Sequence, residues 1–462
     1  MTSAPGESHG VSLGEATRVW LRVAALSFGG PAGQIAVMHR ILVEEKHWIG
    51  ETRFLHALNY CMLLPGPEAH QLAVYIGWLL HKTRGGIIAG TLFVLPGFIA
   101  LGALSLIYAV YGNIGFVGAL FFGLKAAVLA LVLQAVLRVG KRALKGPAQI
   151  AIACLAFVAL FLFAVPFPLV IVTAGATGYL GEKFGFSAFR GGVGHGGSSR
   201  EHDTPARIDA AFAREIPAHV RPSLRRFIAV LVVGLTVWLS PLAVLAAGLG
   251  TRNTYTAIAA FNAKMAVLTF GGAYAVLAYM AQQAVEFYHW LQPGEMLVGL
   301  GFAETTPGPL ISVVQFVGFM ASFRDPGALN PLVAGTLGGV LAMWMTFVPS
   351  FLWIFLGGPY VEALIGNKSL TSALSAITAA VVGVILNLAV WFALHTLFGQ
   401  VETLHGYWFT VAIPVLHTVN WTALAISLLA MIAMFRFNIG MIPTLAGCSL
   451  LSIACYLAFG AL

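Results

Sequence analysis

Charge is what this sequence has least of. Only 9% of its 462 residues are Asp, Glu, Lys or Arg, and 59% are hydrophobic; a soluble globular protein carries about 25% charged residues. The 25 basic and 17 acidic side chains cannot cover a water-soluble surface of this size. Composition therefore excludes a soluble fold and indicates a polytopic membrane protein.

Aspartate and cysteine are also scarce. The three Asp (203, 209 and 325) fall in predicted loops, which argues against an intramembrane enzyme built on an Asp-rich metal site. The four Cys show neither metal-ligand nor disulfide spacing, and the 13 His form no HExxH or Cys/His cluster. We expect no metal, no cofactor and no enzyme activity. Residues 1–14 are polar and small, so we expect no signal peptide.

Long apolar runs are abundant, and they favour an all-α fold because a membrane β-barrel would show short alternating segments. Residues 1–15 are predicted to be a polar tail. Residues 182–226 are rich in Gly, Ser, His and Arg and are predicted to be a flexible linker with a short amphipathic helix near 206–216. The predicted spans lie in 86–111, 113–137, 147–181, 227–250, 331–356, 370–398 and 407–460.

The second half of the chain repeats the first. Residues 22–67 align with 264–309 at a constant shift of 242, and later matches follow at shifts of 253 (Gln134 with Asn387) and 272. We predict repeats at 16–181 and 254–460, joined by one span at 227–250. The matches include Phe28-Gly29-Gly30 with Phe270-Gly271-Gly272 and Pro65-Gly66-Pro67 with Pro307-Gly308-Pro309. Matched helix breaks in two halves indicate a transporter binding site.

The basic residues indicate how the repeats are oriented. Loops 39–53, 81–85 and 138–146 hold nine Lys or Arg, whereas the corresponding second-half loops hold one. Cations mark the cytoplasmic side, so equivalent loops lie on opposite sides. We predict two inverted-topology repeats of about six membrane segments each, with broken or re-entrant helices. The N-terminus and the linker would then be cytoplasmic, and the C-terminus periplasmic or extracellular.

The strings SFGGPAGQIAVMHR, LPGPEAHQLAVYIGW, TFGGAYAVLAYMAQQAV and ETTPGPLISVVQFVGF resemble the chromate ion transporter family across residues 16–460. The resemblance implies a long-chain, two-domain protein of the bacterial inner membrane that exports chromate and confers resistance, with sulfate as the related oxyanion. Its partners would be chromate, sulfate and the lipid bilayer. A homodimer stays open, and no nucleic acid is expected because the cations lie in short loops beside apolar runs.

A tetrahedral dianion must exchange its hydration for protein hydrogen bonds, and half-helix N-termini offer free N–H groups and a positive dipole end. Alternatively, the Gly and Pro only permit kinks and packing, the polar groups satisfy broken backbone, and the cations snorkel. The predicted substrate-binding residues are Arg22, Gly29, Gly30, Pro31, Asn59, Pro65, Gly66, Pro67, Gln71, Lys264, Gly271, Gly272, Thr305, Thr306, Pro307, Gly308 and Pro309.

Three charged residues are not duplicated. Glu68 and Glu304 are the only carboxylates placed well inside the predicted apolar runs, and Lys125 lies deep in 113–137. For the carboxylates, proton exchange, a structural pair or cap, and ligation of a cation all remain open. Lys125 either serves transport or pairs with Glu68 or Glu304.

Expelling a dianion from a negative interior is favoured by the membrane potential, so export needs no coupled ion, although proton coupling stays open. The alternatives are uptake of sulfate or another oxyanion on the same fold, or a scaffold or channel.

Overall fold

The computed structural model describes residues 9–112, 114–186, 206–214, 217–270, 273–361, 368–406 and 409–460, so Gly271 and Gly272 lie outside the described residues. The helices are α1 (Leu13–Leu26), α2 (Gly30–His39), α3 (Glu51–Leu63), α4 (Glu68–Tyr111), α5 (Gly115–Ala143), α6 (Pro147–Phe161), α7 (Phe167–Lys183), α8 (Arg207–Arg214), α9 (Leu224–Leu249), α10 (Thr254–Leu268), α11 (Ala273–Gln282), α12 (Glu295–Thr305), α13 (Val314–Arg324), α14 (Pro331–Gly357), α15 (Lys368–Leu397), α16 (Trp421–Phe435) and α17 (Met441–Phe459).

The predicted helical, multi-pass membrane architecture is confirmed. Among the described residues, six helices are long and apolar enough to cross a bilayer: α4, α5, α9, α14 with its short extension to Tyr360, α15 and α17. The predicted linking span 227–250 corresponds to α9. The predicted split of 147–181 is present too, because α6 and α7 are separated at 162–166.

The helices pack as two groups. In the first, which we call the core bundle, α14 packs against α4, α9, α10 and α13, and α4 packs against α1 and α3. In the second, the arm bundle, α15 packs against α5, α6 and α7, and α5 packs against α16 and α17. Each half of the chain therefore contributes helices to both bundles. Contacts of α12 with α5 and of α11 with α15 join them.

The helices break where the Gly and Pro residues predict. α1 ends before Gly29, α3 ends before Pro65, and the second half repeats both interruptions, between α10 and α11 and after α12. α1 and α3 have 14 and 13 residues, about 20 Å at 1.5 Å per residue, so they cannot cross a hydrocarbon core of about 30 Å. The broken segments end inside the protein.

Helix α4 is two helices joined by a sharp reversal. His81 and Lys82 have non-helical backbone angles, and Lys82 has φ of 55°. A Cβ on Gly77 would lie 2.5 Å from the carbonyl oxygen of Gly85, so the arms 68–80 and 83–111 run back against each other. Gly318 on α13 approaches Gly338 on α14 in the same way, with a Cβ-to-oxygen distance of 2.6 Å. Small residues permit this close backbone packing.

Several predicted loops are wrong. α2 continues as a π-helix to Glu45, which leaves only residues 46–50 as a loop, and α5 extends through the basic cluster to Ala143. The predicted tail is shorter than 1–15, because α1 begins at Leu13 and Val11 is buried. The all-α prediction missed a hairpin of strands β1 (Val401–His405) and β2 (Thr410–Pro414).

The linker is more ordered than predicted over its second part. The predicted amphipathic helix is present as α8, so Asp209 lies on a helix and not in a loop. Its carboxylate accepts hydrogen bonds from the backbone N–H of Gly50, at 2.7 Å, and from Arg53. Ile208 is fully buried. α8 is therefore docked on the loop between α2 and α3.

Candidate functional site

The broken helices of the two halves exchange a reciprocal pair of backbone hydrogen bonds. Gly66 in the first Pro-Gly-Pro donates to the carbonyl oxygen of Thr269 at 2.8 Å, and Gly308 in the second donates to Ser27, also at 2.8 Å. At the shift of 242, Gly308 matches Gly66 and Thr269 matches Ser27. The Pro-Gly-Pro break of each half is thus held against the C-terminal cap of the helix that precedes the first break of the other half, α10 or α1.

The backbone conformation is also repeated at matched positions. Gly66 and Gly308 have φ of 126° and 112°, and His47 and His289 have φ of 50° and 53°. Trp48 donates to Leu42 and Trp290 to Ala284, each at 2.8 Å. A positive φ is uncommon outside glycine, so its recurrence at two matched histidines reflects one local fold used twice.

Four helical segments begin around one narrow space. These are α2, α4, α11 and the 3₁₀ turn Leu310–Val313 that precedes α13. The first turn of a helix carries N–H groups without intrahelical partners and the positive end of the helix dipole. The space is about 10 Å³, enough for about one water. Its lining residues are Pro31, Gln34, Pro67, Glu68, Ala69, Ala273, Pro309, Leu310 and Ile311. We call this space the central cavity.

Three buried amides surround the breaks. Nε2 of Gln34 donates to the carbonyl of Gly308 at 2.5 Å, Nε2 of Gln71 donates to Pro65 at 2.7 Å, and Nε2 of Gln315 donates to Phe98 at 2.9 Å. The Oε1 atoms of all three have no hydrogen-bond partner among the described residues. Gln71 was predicted from sequence. Gln34 was not, although its place one turn into α2 was the available signal.

The other predicted polar residues are spread around the breaks. The hydroxyl of Thr305 donates within its own helix to Gly301 at 2.9 Å, and that of Thr306 is 3.5 Å from the carbonyl of Ala303, as expected if they satisfy helix backbone. Asn59 lies half-buried on α3.

The two matched cations do not line the central cavity. Arg22 is exposed and forms an ion pair with Glu45 at 2.7 Å, with half of its side-chain surface accessible. Lys264 is also exposed, and its Nζ lies 2.9 Å from the hydroxyl of Tyr279. Arg22 and Lys264 therefore do not border the central cavity, whereas the starts of four helical segments do.

The unduplicated carboxylates occupy different places. Glu68 is in the first turn of α4 and lines the central cavity. Glu304 is 6% exposed and accepts a hydrogen bond from the hydroxyl of Tyr274 at 2.5 Å. Glu304 also lines a second space of about 250 Å³ between the core and arm bundles, together with Gly29, Gln134 and Arg138. We call this space the Glu304 cavity.

Lys125 pairs with neither predicted partner. Its Nζ lies beside Gly294, 3.5 Å from where a Cβ would stand, and next to a buried cluster that the sequence reading missed. In that cluster Glu295 is 5% exposed and forms two hydrogen bonds of 2.7 and 2.8 Å with Arg324. The hydroxyl of Tyr108 donates to the same carboxylate at 2.9 Å. The sequence signal for this ion pair is that Glu295 begins one apolar segment of the second half and Arg324 ends the next one.

The profile described as chromate transporter matches residues 14–179 and 256–453, most of the chain. The chain belongs to the chromate transporter family. Two chromate transport proteins are similar to it: one from Pseudomonas aeruginosa, 31% identical over 79% of this chain and 77% of the relative, and one from Cupriavidus metallidurans, 27% identical over 83% and 84%. A probable chromate transport protein from Synechococcus elongatus is 26% identical over 81% and 83%. No solved structure matches the chain significantly.

Proposed function

We propose that this member of the chromate transporter family exports chromate across the bacterial inner membrane and so confers chromate resistance. The observation that carries the proposal is the convergence of four half-helix starts on the central cavity. Chromate is a tetrahedral dianion, and helix N-termini offer it backbone donors and positive dipole ends without a buried cation. Family membership supports chromate as the transported ion.

The central cavity as it stands is too narrow for an oxyanion, at about the volume of one water. Each Pro-Gly-Pro break is fixed by one backbone hydrogen bond to the opposite half, and the second break also accepts a hydrogen bond from Gln34. The anion would enter when the breaks separate from the C-terminal ends of α1 and α10, and the space would close again behind it. Two equivalent breaks then provide equivalent gates, as alternating access requires.

The two halves act as inverted repeats in this proposal. The reciprocal hydrogen bonds, the matched φ values and the two separate profile matches support a duplication. The excess of Lys and Arg in first-half loops supports opposite orientations, with a cytoplasmic N-terminus and α9 as the span that reverses the second repeat.

The membrane potential is sufficient to drive export. One elementary charge moved through 100 mV corresponds to about 2.3 kcal/mol, so a dianion leaving a negative interior gains about twice that. Glu68 lines the central cavity and would oppose an anion there when ionised. We propose that Glu68 is protonated when the anion is bound. Any coupling of proton movement to anion transport would then occur at this residue.

The test uses purified protein in proteoliposomes of fixed sidedness and radiolabelled chromate. We expect accumulation when the cytoplasmic face is outside and the lumen is positive, and its loss when the potential is collapsed. Sulfate uptake in the opposite orientation that depends on a pH gradient would refute export in favour of uptake. Glu68→Gln should change the rate several-fold, whereas exposed Glu402→Gln on β1 should not.

A further inference from the structure

The Glu304 cavity has a counterpart against α15, the second-half helix that matches α5. A space of about 200 Å³ lies against α15, and four of its lining residues are 253 positions after four lining residues of the Glu304 cavity. This is the same shift that aligns Gln134 with Asn387. The pairs are Leu131 with Val384, Gln134 with Asn387, Ala135 with Leu388 and Arg138 with Trp391.

The two cavities are lined by the same four matched helix positions but differ in charge. The position of Arg138 is occupied in the counterpart by Trp391, whose indole N–H donates to Glu286 at 2.9 Å. A cation at this position is therefore not needed for a cavity to form here. Among the described residues, Arg138 has one hydrogen-bond partner, Oε1 of Gln134 at 3.0 Å, one turn before it on α5. Guanidinium donors remain for a ligand in the cavity.

The charged and titratable groups around the Glu304 cavity are few. Arg138 comes from α5, Tyr274 from α11 and Glu304 from α12. The junction of α16 and α17 contributes Met434, Asn438, Ile439, Gly440 and Met441, none of which titrates. Arg436 at this junction is exposed and does not line the cavity. The carboxylate of Glu304 thus shares the cavity with the guanidinium of Arg138, which is an exposed residue, and their charges interact without a direct ion pair.

We infer that Arg138 and Gln134 form an oxyanion-binding subsite in the Glu304 cavity, and that the charge of Glu304 controls its affinity. The inference rests on the proposed anion transport. The guanidinium offers charged N–H donors in one plane to the oxygens of a tetrahedral anion, and the amide offers neutral N–H donors. An ionised Glu304 repels the anion and partly neutralises Arg138, whereas a protonated Glu304 leaves the cavity with a net positive charge.

The location gives the subsite a role. Gly29, in the first Gly-Gly break, lines the Glu304 cavity, and Pro31, two residues later, lines the central cavity. An anion held at Arg138 therefore lies beside one of the segments that must move to open the central cavity. Arg138 is also on the side marked by Lys141, Arg142 and Lys145, which the charge pattern places in the cytoplasm. The subsite loads the anion to be exported.

The experiment measures the KM for chromate in proteoliposomes loaded from this face, from neutral to alkaline pH, where chromate stays largely a dianion. Arg138→Gln should raise KM about 10- to 100-fold, the value of a hydrogen bond to a charged group. Arg138→Lys should recover part of the loss. Lys141 lies one turn further along α5, is exposed like Arg138, and does not line the cavity, so Lys141→Gln should leave KM at the wild-type value.

Glu304→Gln separates the two parts of the inference. KM should rise with pH in the wild type and stay flat and lower in Glu304→Gln. A KM unchanged by Arg138→Gln in a protein that still transports chromate would refute the subsite, and a higher KM in Glu304→Gln would refute the role of its charge. Wild-type protein that transports no chromate would instead refute the proposed function.

Discussion

Gly97 is the position at which the packing around the central cavity can be tested most directly. It lies on the second arm of α4, one residue after Pro96, and its backbone touches the second Pro-Gly-Pro break. A Cβ there would overlap the carbonyl oxygen of Pro307 and stand 3.6 Å from Cα of Gly308. Gly97→Ala therefore cannot be accommodated unless the break moves away from α4.

The cost follows from the kind of atom that is displaced. A carbonyl oxygen of the backbone has no rotamer to change, so the strain falls on the break itself, and overpacking of this kind costs about 1–3 kcal/mol. That free energy corresponds to a factor of about 5 to 150 in the population of the conformation described above. We expect Gly97→Ala to lower the melting temperature and to slow chromate transport by a factor in this range.

The assays are thermal unfolding of the detergent-purified protein and the initial rate of chromate transport in proteoliposomes. Gly447→Ala on α17 is the matched control, because a Cβ at that glycine meets nothing within 4 Å. A Gly97→Ala protein with wild-type melting temperature and rate, alongside an unchanged control, would show that α4 does not pack tightly against the break. If both variants lost stability, the effect of Gly97→Ala would not be specific to the contact between α4 and the break.

Two further predictions concern the orientation of the halves and the docking of α8. Single cysteines introduced at His47 and His289 in a background without native cysteines should react with a membrane-impermeant reagent from opposite sides; labelling from one side would overturn the inverted arrangement. Asp209→Asn should weaken the contact of α8 with Gly50 and Arg53 and make the 182–226 segment more sensitive to added protease, while Glu182→Gln should not; equal cleavage would show that α8 is held by its apolar face alone.

Local sequence signals predicted the helix breaks and most of the spans. Gly-Gly and Pro-Gly-Pro interrupt helices through their own backbone preferences, so their effect is independent of the rest of the fold. The same holds for α8, whose amphipathic pattern is contained within eight residues. The hairpin of β1 and β2 also carried a local signal in its Val and Thr residues, but β2 lies within the predicted span region 407–460.

The buried ion pair was beyond a local reading. Glu295 follows Pro293-Gly294 and looks like part of a polar loop, and Arg324 looks like the end of an apolar run. Glu295 and Arg324 meet because the chain turns back between α12 and the segment 310–324. A contact between residues 29 positions apart depends on how these segments pack. Arg138 was misread for a similar reason. It was assigned to a basic loop, whereas α5 continues past it and presents it to a cavity.

In the proposed function, backbone groups bind the anion and side-chain charges tune its affinity, which explains why some features are duplicated and others are not. A binding site made of helix starts works equally from either side, because the N–H groups of both halves face the same space. The charged side chains of Arg138 and Glu304 line the Glu304 cavity, and that of Glu286 lines its counterpart, so none of the three borders the central cavity. Duplicating them would give both entrances the same affinity for the anion. Under the proposed function we expect direction and coupling to depend on the unmatched charges, so substitutions there should alter KM from one face before they alter the other.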